Sequence, residues 1–206
     1  MRASYRPVIA GAAALALLVS VSCGDVVRQG KAPVLIVVDS IEAASGADPG
    51  TMGNFLLSDV QTVVNEIPTI FNDIGQATMR LIPKDAGTGQ NSLAPTPWNS
   101  VTISRYRIVF IRADGRNTPG VDVPYPIDGA VTVTLSAAPT PVAFEIVRHQ
   151  QKLDQPLRAL ANFGGRLFIS TIAEITFYGA DQVGNEVQAR GTINVSFSDY
   201  ADPAGS

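Results

Sequence analysis

Among the side chains that can act as nucleophiles, bases or metal ligands, two types occur only once in the 206 residues, Cys23 and His149. Serine hydrolysis needs an imidazole or equivalent base beside the hydroxyl. Any such site would have to be built on His149, and no Gly-x-Ser-x-Gly stretch accompanies it. A thiolate zinc site draws on several cysteines and histidines at close spacing, which this chain does not contain. Seven aspartates, Asp48, Asp59, Asp73, Asp114, Asp122, Asp128 and Asp181, fall in or near turn sequence. Turns favour aspartate for local hydrogen bonding, and none of these stretches has the regular oxygen-ligand spacing of a calcium loop. GADPG (46–50) and GGR (164–166) are turns without the strand-to-helix context of a phosphate loop. No pair of carboxylates stands out for glycoside chemistry. The residues therefore predict no enzyme, no catalytic group, no cofactor and no bound metal.

The surroundings of Cys23 are more informative. Arg2 and Arg6 precede an apolar, small-residue run from Pro7 to Val21, of the length of a signal segment and too short for a comfortable membrane span. The run ends Ser20-Val21-Ser22-Cys23. This ending resembles the lipobox of bacterial lipoproteins: Val21 and Ser22 match the pattern, while Ser20 stands where the family prefers leucine or another aliphatic residue. The resemblance implies removal of residues 1–22 as a signal peptide, lipid attachment at Cys23, and a membrane anchor made of acyl chains. Several chains at ~0.8 kcal/mol per buried methylene give stable anchoring where one chain is marginal. A plain cleaved signal and an uncleaved anchor are the competing readings. Lipidation would also take the only thiol out of an oxidising compartment, where an unpaired cysteine is reactive. Gly24 follows the cysteine and Asp25 comes one place later. By the same resemblance, aspartate directly after the cysteine would favour the inner membrane, so an outer-membrane location in the cell envelope is expected. GDVVRQGKAP then continues as a polar tether, giving a lipidated linker over residues 23–33.

The chain carries 15 basic and 18 acidic residues, a net charge of −3. Without Arg2 and Arg6 the balance is 13 against 18, or −5. Mild acidity argues against a nucleic-acid partner, because phosphate binding needs a basic face. Arg105, Arg107, Arg112 and Arg116 are basic but isolated, and are expected as exposed strand-face charges. Tyr125, between prolines in TPGVDVPYPIDG, is expected in an edge cover that blocks strand pairing rather than in a ligand contact. Trp98, in APTPWNS, is expected as a buried plug over one end of the fold. Asn194 begins a glycosylation sequon, of no expected use in a bacterial lipoprotein.

The rest of the chain predicts strands. Eighteen glycines and 14 prolines point to many turns, and Val, Ile and Thr favour strands. Val34 to Ser45 reads as a first strand, and Phe55 to Val64 as either a strand or a short helix. GQATMRLIP alternates as a half-buried strand. In SVTISRYRIVFIR, Val101 and Ile103 lie on one parity and Tyr106, Ile108 and Phe110 on the other. Period 2 cannot change face without an extra residue or a strong twist, so a β-bulge is predicted near Ser104 and Arg105. AVTVTL (130–135) and PVAFEIVRH (141–149) are expected to pair antiparallel across SAAPT. QKLDQPLRALANFGG predicts one short connecting helix with Asp154 as N-cap, Pro156 in the first turn and Gly164 or Gly165 as terminator. Ala173, Ile175 and Phe177, then Val187, Ala189, Ile193, Val195 and Phe197, alternate with polar residues and predict a hairpin with one wet face and Gly191 at an inward position.

FYGADQVGNEV, joining these last strands, resembles the Asp-x-x-Gly-Asn connection of bacterial immunoglobulin-like and fibronectin-like domains, matched here by Asp181, Gly184 and Asn185. The resemblance implies an all-β, immunoglobulin-like antiparallel β-sandwich of about seven to nine strands. No internal repeat is visible, so one domain is expected over residues 34–200, with a tail at 201–206. Taken together, the chain reads as a membrane-anchored envelope lipoprotein with a binding or structural role. The alternatives are an accessory subunit of an envelope assembly and a carbohydrate-binding or enzymatic domain.

Overall fold

The computed structural model describes residues 30–85, 87–88, 91–163 and 166–200. Cys23, the signal segment, Gly164, Gly165 and the tail lie outside the described residues. The strands are β1 (Val34–Ala44), β2 (Phe55–Asp59), β3 (Thr62–Val64), β4 (Ile67–Thr69), β5 (Asp73–Pro83), β6 (Gly87–Thr88), β7 (Asn91–Ser92), β8 (Val101–Ile111), β9 (Ile127–Leu135), β10 (Thr140–Val147), β11 (Phe168–Asp181) and β12 (Glu186–Ser198). One short helix, α1 (His149–Leu153), lies between β10 and β11.

Eight of the strands form a β-sandwich, with one sheet ordered β1-β5-β10 and the other β2-β12-β11-β8-β9. Lettered in chain order, the sheets read A-B-E and A′-G-F-C-C′, the arrangement expected of an immunoglobulin-like fold. One pairing departs from the expected antiparallel pattern. The five residues of β2 run parallel to Asn194–Ser198 of β12, because the chain leaves the first sheet after β1 and joins the second without reversing direction. Phe55–Val64, open between strand and helix in the sequence, is thus strand at both ends.

Alternation sets the core. Ala77, Met79 and Leu81 of β5, Val142, Phe144 and Ile146 of β10, Ala173, Ile175 and Phe177 of β11, and Ile193, Val195 and Phe197 of β12 are buried between the sheets. Tyr106 fills the centre, its ring centroid 5.3 Å from Phe144 and 6.5 Å from Phe177. Its hydroxyl donates to Glu145 O at 3.2 Å and accepts from Glu145 N at 3.3 Å, so a polar atom is buried without an unmet bond. Gly129 makes room for that ring, since a Cβ there would stand 2.2 Å from Tyr106 Cζ.

The bulge is where the sequence puts it. Ile103 and Tyr106 are both buried while Ser104 and Arg105 between them are exposed. The register shifts between Ile103 and Arg105 against β9, and between Tyr178 and Gly179 against β11. The extra residue lets both halves of β8 present their apolar set inward.

Two expectations fail. β9 and β10 do not pair: β9 adds to β8 in the five-stranded sheet, and β10 to β5 in the other. The physical reason is visible at the connection, where Leu81 N of β5 donates to Ser136 O at 2.8 Å. The chain has therefore crossed back to the three-stranded sheet before a hairpin can close. The helix also starts earlier than predicted. Gln151 Oε1 accepts from Arg148 N at 2.9 Å and caps its first turn, and Asp154 closes the helix as C-cap rather than opening it. Proline disfavours helical geometry in the residue before it, so the chain breaks before Pro156 and resumes as a short 3-10 turn, Leu157–Leu160, burying both leucines.

Candidate binding surfaces

The strand directions define two ends of the sandwich. Val34 at the start of β1 faces Pro83 at the end of β5, and Asp181 at the end of β11 faces Val101 at the start of β8. The first described residues, the β5–β8 connection and the β11–β12 turn therefore share one end. The helix, the β8–β9 loop and the starts of β5 and β11 share the other.

At the first end, Asp181 organises the turn. Its Oδ1 accepts from Asn185 N at 2.8 Å and Val183 N at 3.1 Å, and its Oδ2 accepts from Asn185 Nδ2 at 2.8 Å. Partial burial pushes this carboxyl up, but the hydrogen bonds from Asn185, Val183 and Gly184 outweigh it and hold the group below its ordinary value. Gln182, within the same turn, donates from Nε2 to Pro97 O at 3.0 Å and Ser100 Oγ at 2.7 Å. Asn99 Oδ1 in turn accepts from Thr96 N and Thr96 Oγ1 at 3.1 and 2.9 Å. These bonds fix the 3-10 turn Pro97–Asn99 against the hairpin. Trp98 is held pointing outward.

The expected burial of Trp98 is therefore wrong: its relative exposure is 81%. The core at this end of the sandwich is closed by Val101 and Leu135, cross-strand partners that are both fully buried, and the indole stays outside it. Val183, 83% exposed, and Leu93, on the β5–β8 connection, are also in water.

Beside this end, an open cleft of about 390 Å³ is lined by Leu35, Lys84, Arg105, Tyr178, Glu186 and Val187, among others. The Arg105 guanidinium lies 3.7 Å from the Tyr178 ring centroid, a cation–π contact. Lys84 Nζ donates to Gly30 O at 2.6 Å and ties the incoming chain to the rim. Ser104 also lines the cleft, yet His149 lies at the other end of the sandwich, so that hydroxyl has no imidazole base. The other arginines of the 105–116 series are paired: Arg107 with Asp128 at 2.6 Å, Arg112 with Asp114, and Arg116 with Asp114 and Asp122. Bonding to Arg112 holds the Asp114 carboxyl down to about 2.

The other end holds an arrangement without a sequence signal. Lys152 of α1 and Asp73 of β5, with 1% and 0% of their side chains exposed, approach to 2.8 Å. Asp73 also accepts from Gly46 N at 2.9 Å and from the Ser58 hydroxyl. Burial pushes the Asp73 carboxyl up, against the Lys152 ammonium and the bonds from Ser58 and Gly46. In the sequence, Lys152 and Asp73 are separated by 79 positions, and each resembles an ordinary turn or surface residue. His149 Nδ1 stands 3.0 Å from Asn72 Oδ1, and among the described residues no three His, Cys, Asp or Glu side chains converge as a metal set would require. Tyr125 is exposed and its ring lies over Gly120, where a Cβ would stand 2.4 Å from the hydroxyl. Its carbonyl accepts from Gln151 Nε2 at 2.6 Å, and Pro124 beside it is buried, so the segment packs on the fold as a cover.

The outer face of the five-stranded sheet, towards this second end, carries exposed apolar side chains among uncharged polar ones. Phe55, Asn194, Ile172 and Ile111 form one cross-strand row, and Leu57, Ser196 and Ser170 the next. Phe55, Leu57 and Ile172 are exposed, and Phe168 further along β11 is 68% exposed. No charged residue stands in these two rows. Asn194, the sequon residue, lies in the middle of them. No family model matches the chain, and neither a curated protein nor a solved structure does.

Proposed function

We propose that this protein is a lipid-anchored module of the bacterial cell envelope, held at the outer membrane through Cys23, that carries no catalytic activity and engages a protein partner through the outer face of its five-stranded sheet. The observation that supports the binding role is the exposure of Phe55, Leu57 and Ile172 in two cross-strand rows without a charged residue, with Phe168 exposed beyond them. Exposed aromatic and aliphatic side chains among uncharged polar ones have the composition of an interface core. The anchoring role rests on the residues around Cys23 and agrees with a chain that enters the sandwich at the opposite end from this surface. An accessory subunit of an envelope assembly is one form of the same role, because such a subunit would cover this face.

The test uses the full chain in its own cells. Ile172→Glu and Phe168→Arg replace exposed side chains and should change stability by no more than about 0.5 kcal/mol. After detergent extraction, the wild type should migrate in a complex and both variants as free protein. A wild-type protein that migrates as a free monomer overturns the binding role. Cys23→Ser should abolish lipid labelling and membrane fractionation, and unchanged labelling would refute the anchor.

A further inference from the structure

Val183 and Trp98, 83% and 81% exposed, are the two most exposed large apolar side chains among the described residues, and the bonds from Gln182 bring the turns that carry them together at one end of the molecule. Such exposure costs free energy in water, yet the fold spends five side-chain hydrogen bonds on the surrounding frame: two from Gln182, two within Thr96–Asn99, and the Val183 N–H to Asp181. Loop side chains exposed by accident are not usually held in this way. The frame presents two apolar groups as a rigid tip, with Leu93 exposed on the same connection.

The tip's position says what it meets. The chain from Cys23 enters the sandwich at this end, where Lys84 holds Gly30 O. Seven backbone steps separate Cys23 from Gly30, so at ~3.5 Å each the lipidated residue lies at most about 25 Å away. A domain held that closely by this end has the bilayer as the nearest surface to Trp98. An indole has an apolar body and one N–H donor, and tryptophan accordingly concentrates at the boundary between acyl chains and headgroups. We infer that Trp98, Val183 and Leu93 form a membrane-contact tip that seats in the interfacial layer of the bilayer carrying the anchor. The inference rests on the anchored reading. The β11 strand from Phe168 to Asp181 spans about 40 Å at ~3.3 Å per residue, so a seated tip holds the Phe55–Phe168 surface well clear of the membrane.

Trp98 is the only tryptophan in the chain, and its fluorescence reports on the tip alone. The full chain, taken from the membrane fraction of cells, is reconstituted in phosphatidylethanolamine–phosphatidylglycerol vesicles containing a lipid brominated along its acyl chains. The expected result is a blue-shifted emission, lost for the most part to bromine quenching, with both effects reversed in Val183→Asp and Leu93→Asp. These replace exposed side chains, and unchanged circular dichroism shows that the fold persists. Emission as in water with no quenching overturns the inference. Mass spectrometry of Cys23 on the same sample reads the anchor separately. Quenched Trp98 with unmodified Cys23 overturns acylation but leaves the tip standing, whereas acylated Cys23 with unquenched Trp98 does the reverse.

Discussion

Lys152 Nζ lies 2.8 Å from Asp73 Oδ1, with neither side chain in contact with water, and this pair fastens α1 to β5. A five-residue helix has too few internal bonds to persist alone, so its place depends on the contact. Removing one partner of a buried pair leaves an uncompensated charge, which costs about 3–5 kcal/mol. Lys152→Met should lower stability by that amount in urea unfolding. Adding Asp73→Asn should recover part of it, because an amide needs no counterion, keeps one oxygen to accept from Gly46 N, and can donate from Nδ2 to the Ser58 hydroxyl. A single-variant cost under about 1 kcal/mol would show that the pair is not what positions the helix.

Acid stability should depend on Asp181. Its folded value is depressed below the ordinary 3.8, so the folded state binds fewer protons than the unfolded chain in that range. The stability this group contributes is therefore present above pH 3.8 and is lost as pH falls through the lower folded value. Asp181→Asn should flatten the acid limb of thermal midpoint against pH, and Asp181→Ala should cost about 1–2 kcal/mol at neutral pH through lost turn bonds. An acid limb identical to wild type would exclude the turn as a contributor.

Two glycines should respond differently to the same substitution. A Cβ at Gly179 would stand 2.5 Å from Thr102 O, a backbone atom beside the bulge. At Gly191 it would stand 2.4 Å from Ile41 Cδ1, the far end of a side chain that can rotate. Gly179→Ala should cost about 2–3 kcal/mol and Gly191→Ala about 1 kcal/mol or less, read from denaturant midpoints. The reverse order would mean that the bulged strand yields more easily than the β1–β12 packing.

The Arg105–Tyr178 stack should be measurable as a coupling. A double-mutant cycle with Arg105→Ala and Tyr178→Ala should give about 0.5–1 kcal/mol for a partly exposed cation–π pair. A coupling near zero would indicate that the two side chains share the rim of the cleft without attraction.

Much of this fold is legible in local chemistry. The alternation in Ala173–Phe177 and Val187–Phe197 marks the closing hairpin, and Asp181, Gly184 and Asn185 mark its turn. The change of parity between Ile103 and Tyr106 locates the bulge near Ser104 and Arg105, because a two-residue period needs an extra residue or a strong twist to keep both halves inward. Local signals fail where the outcome depends on a distant partner. AVTVTL and PVAFEIVRH look like a hairpin because the connection is short, but Leu81, far away in sequence, captures Ser136 O and sends them to different sheets. Trp98 looks like a core residue because tryptophan is large and apolar. Whether a side chain is buried, however, depends on where the folded loop places it, and the bonds from Gln182 to Pro97 O and Ser100 Oγ fix this turn with Trp98 outside the core.

The candidate surfaces divide along the same line. Cys23 and its preceding residues carry the expectation of an anchor in the sequence itself, since signal segments are read as linear chains. The uncharged rows of the outer sheet face and the Trp98–Val183 tip exist only after folding. Strand register brings Phe55 beside Asn194 and Ile172, and hydrogen bonds from Gln182 bring residues 97–100 against the turn at 181–185. Periodicity and turn chemistry act over a few residues and decide which segments become strands and where they bend. Pairing, burial and surface neighbourhood are long-range outcomes of packing, and only the assembled sandwich decides them.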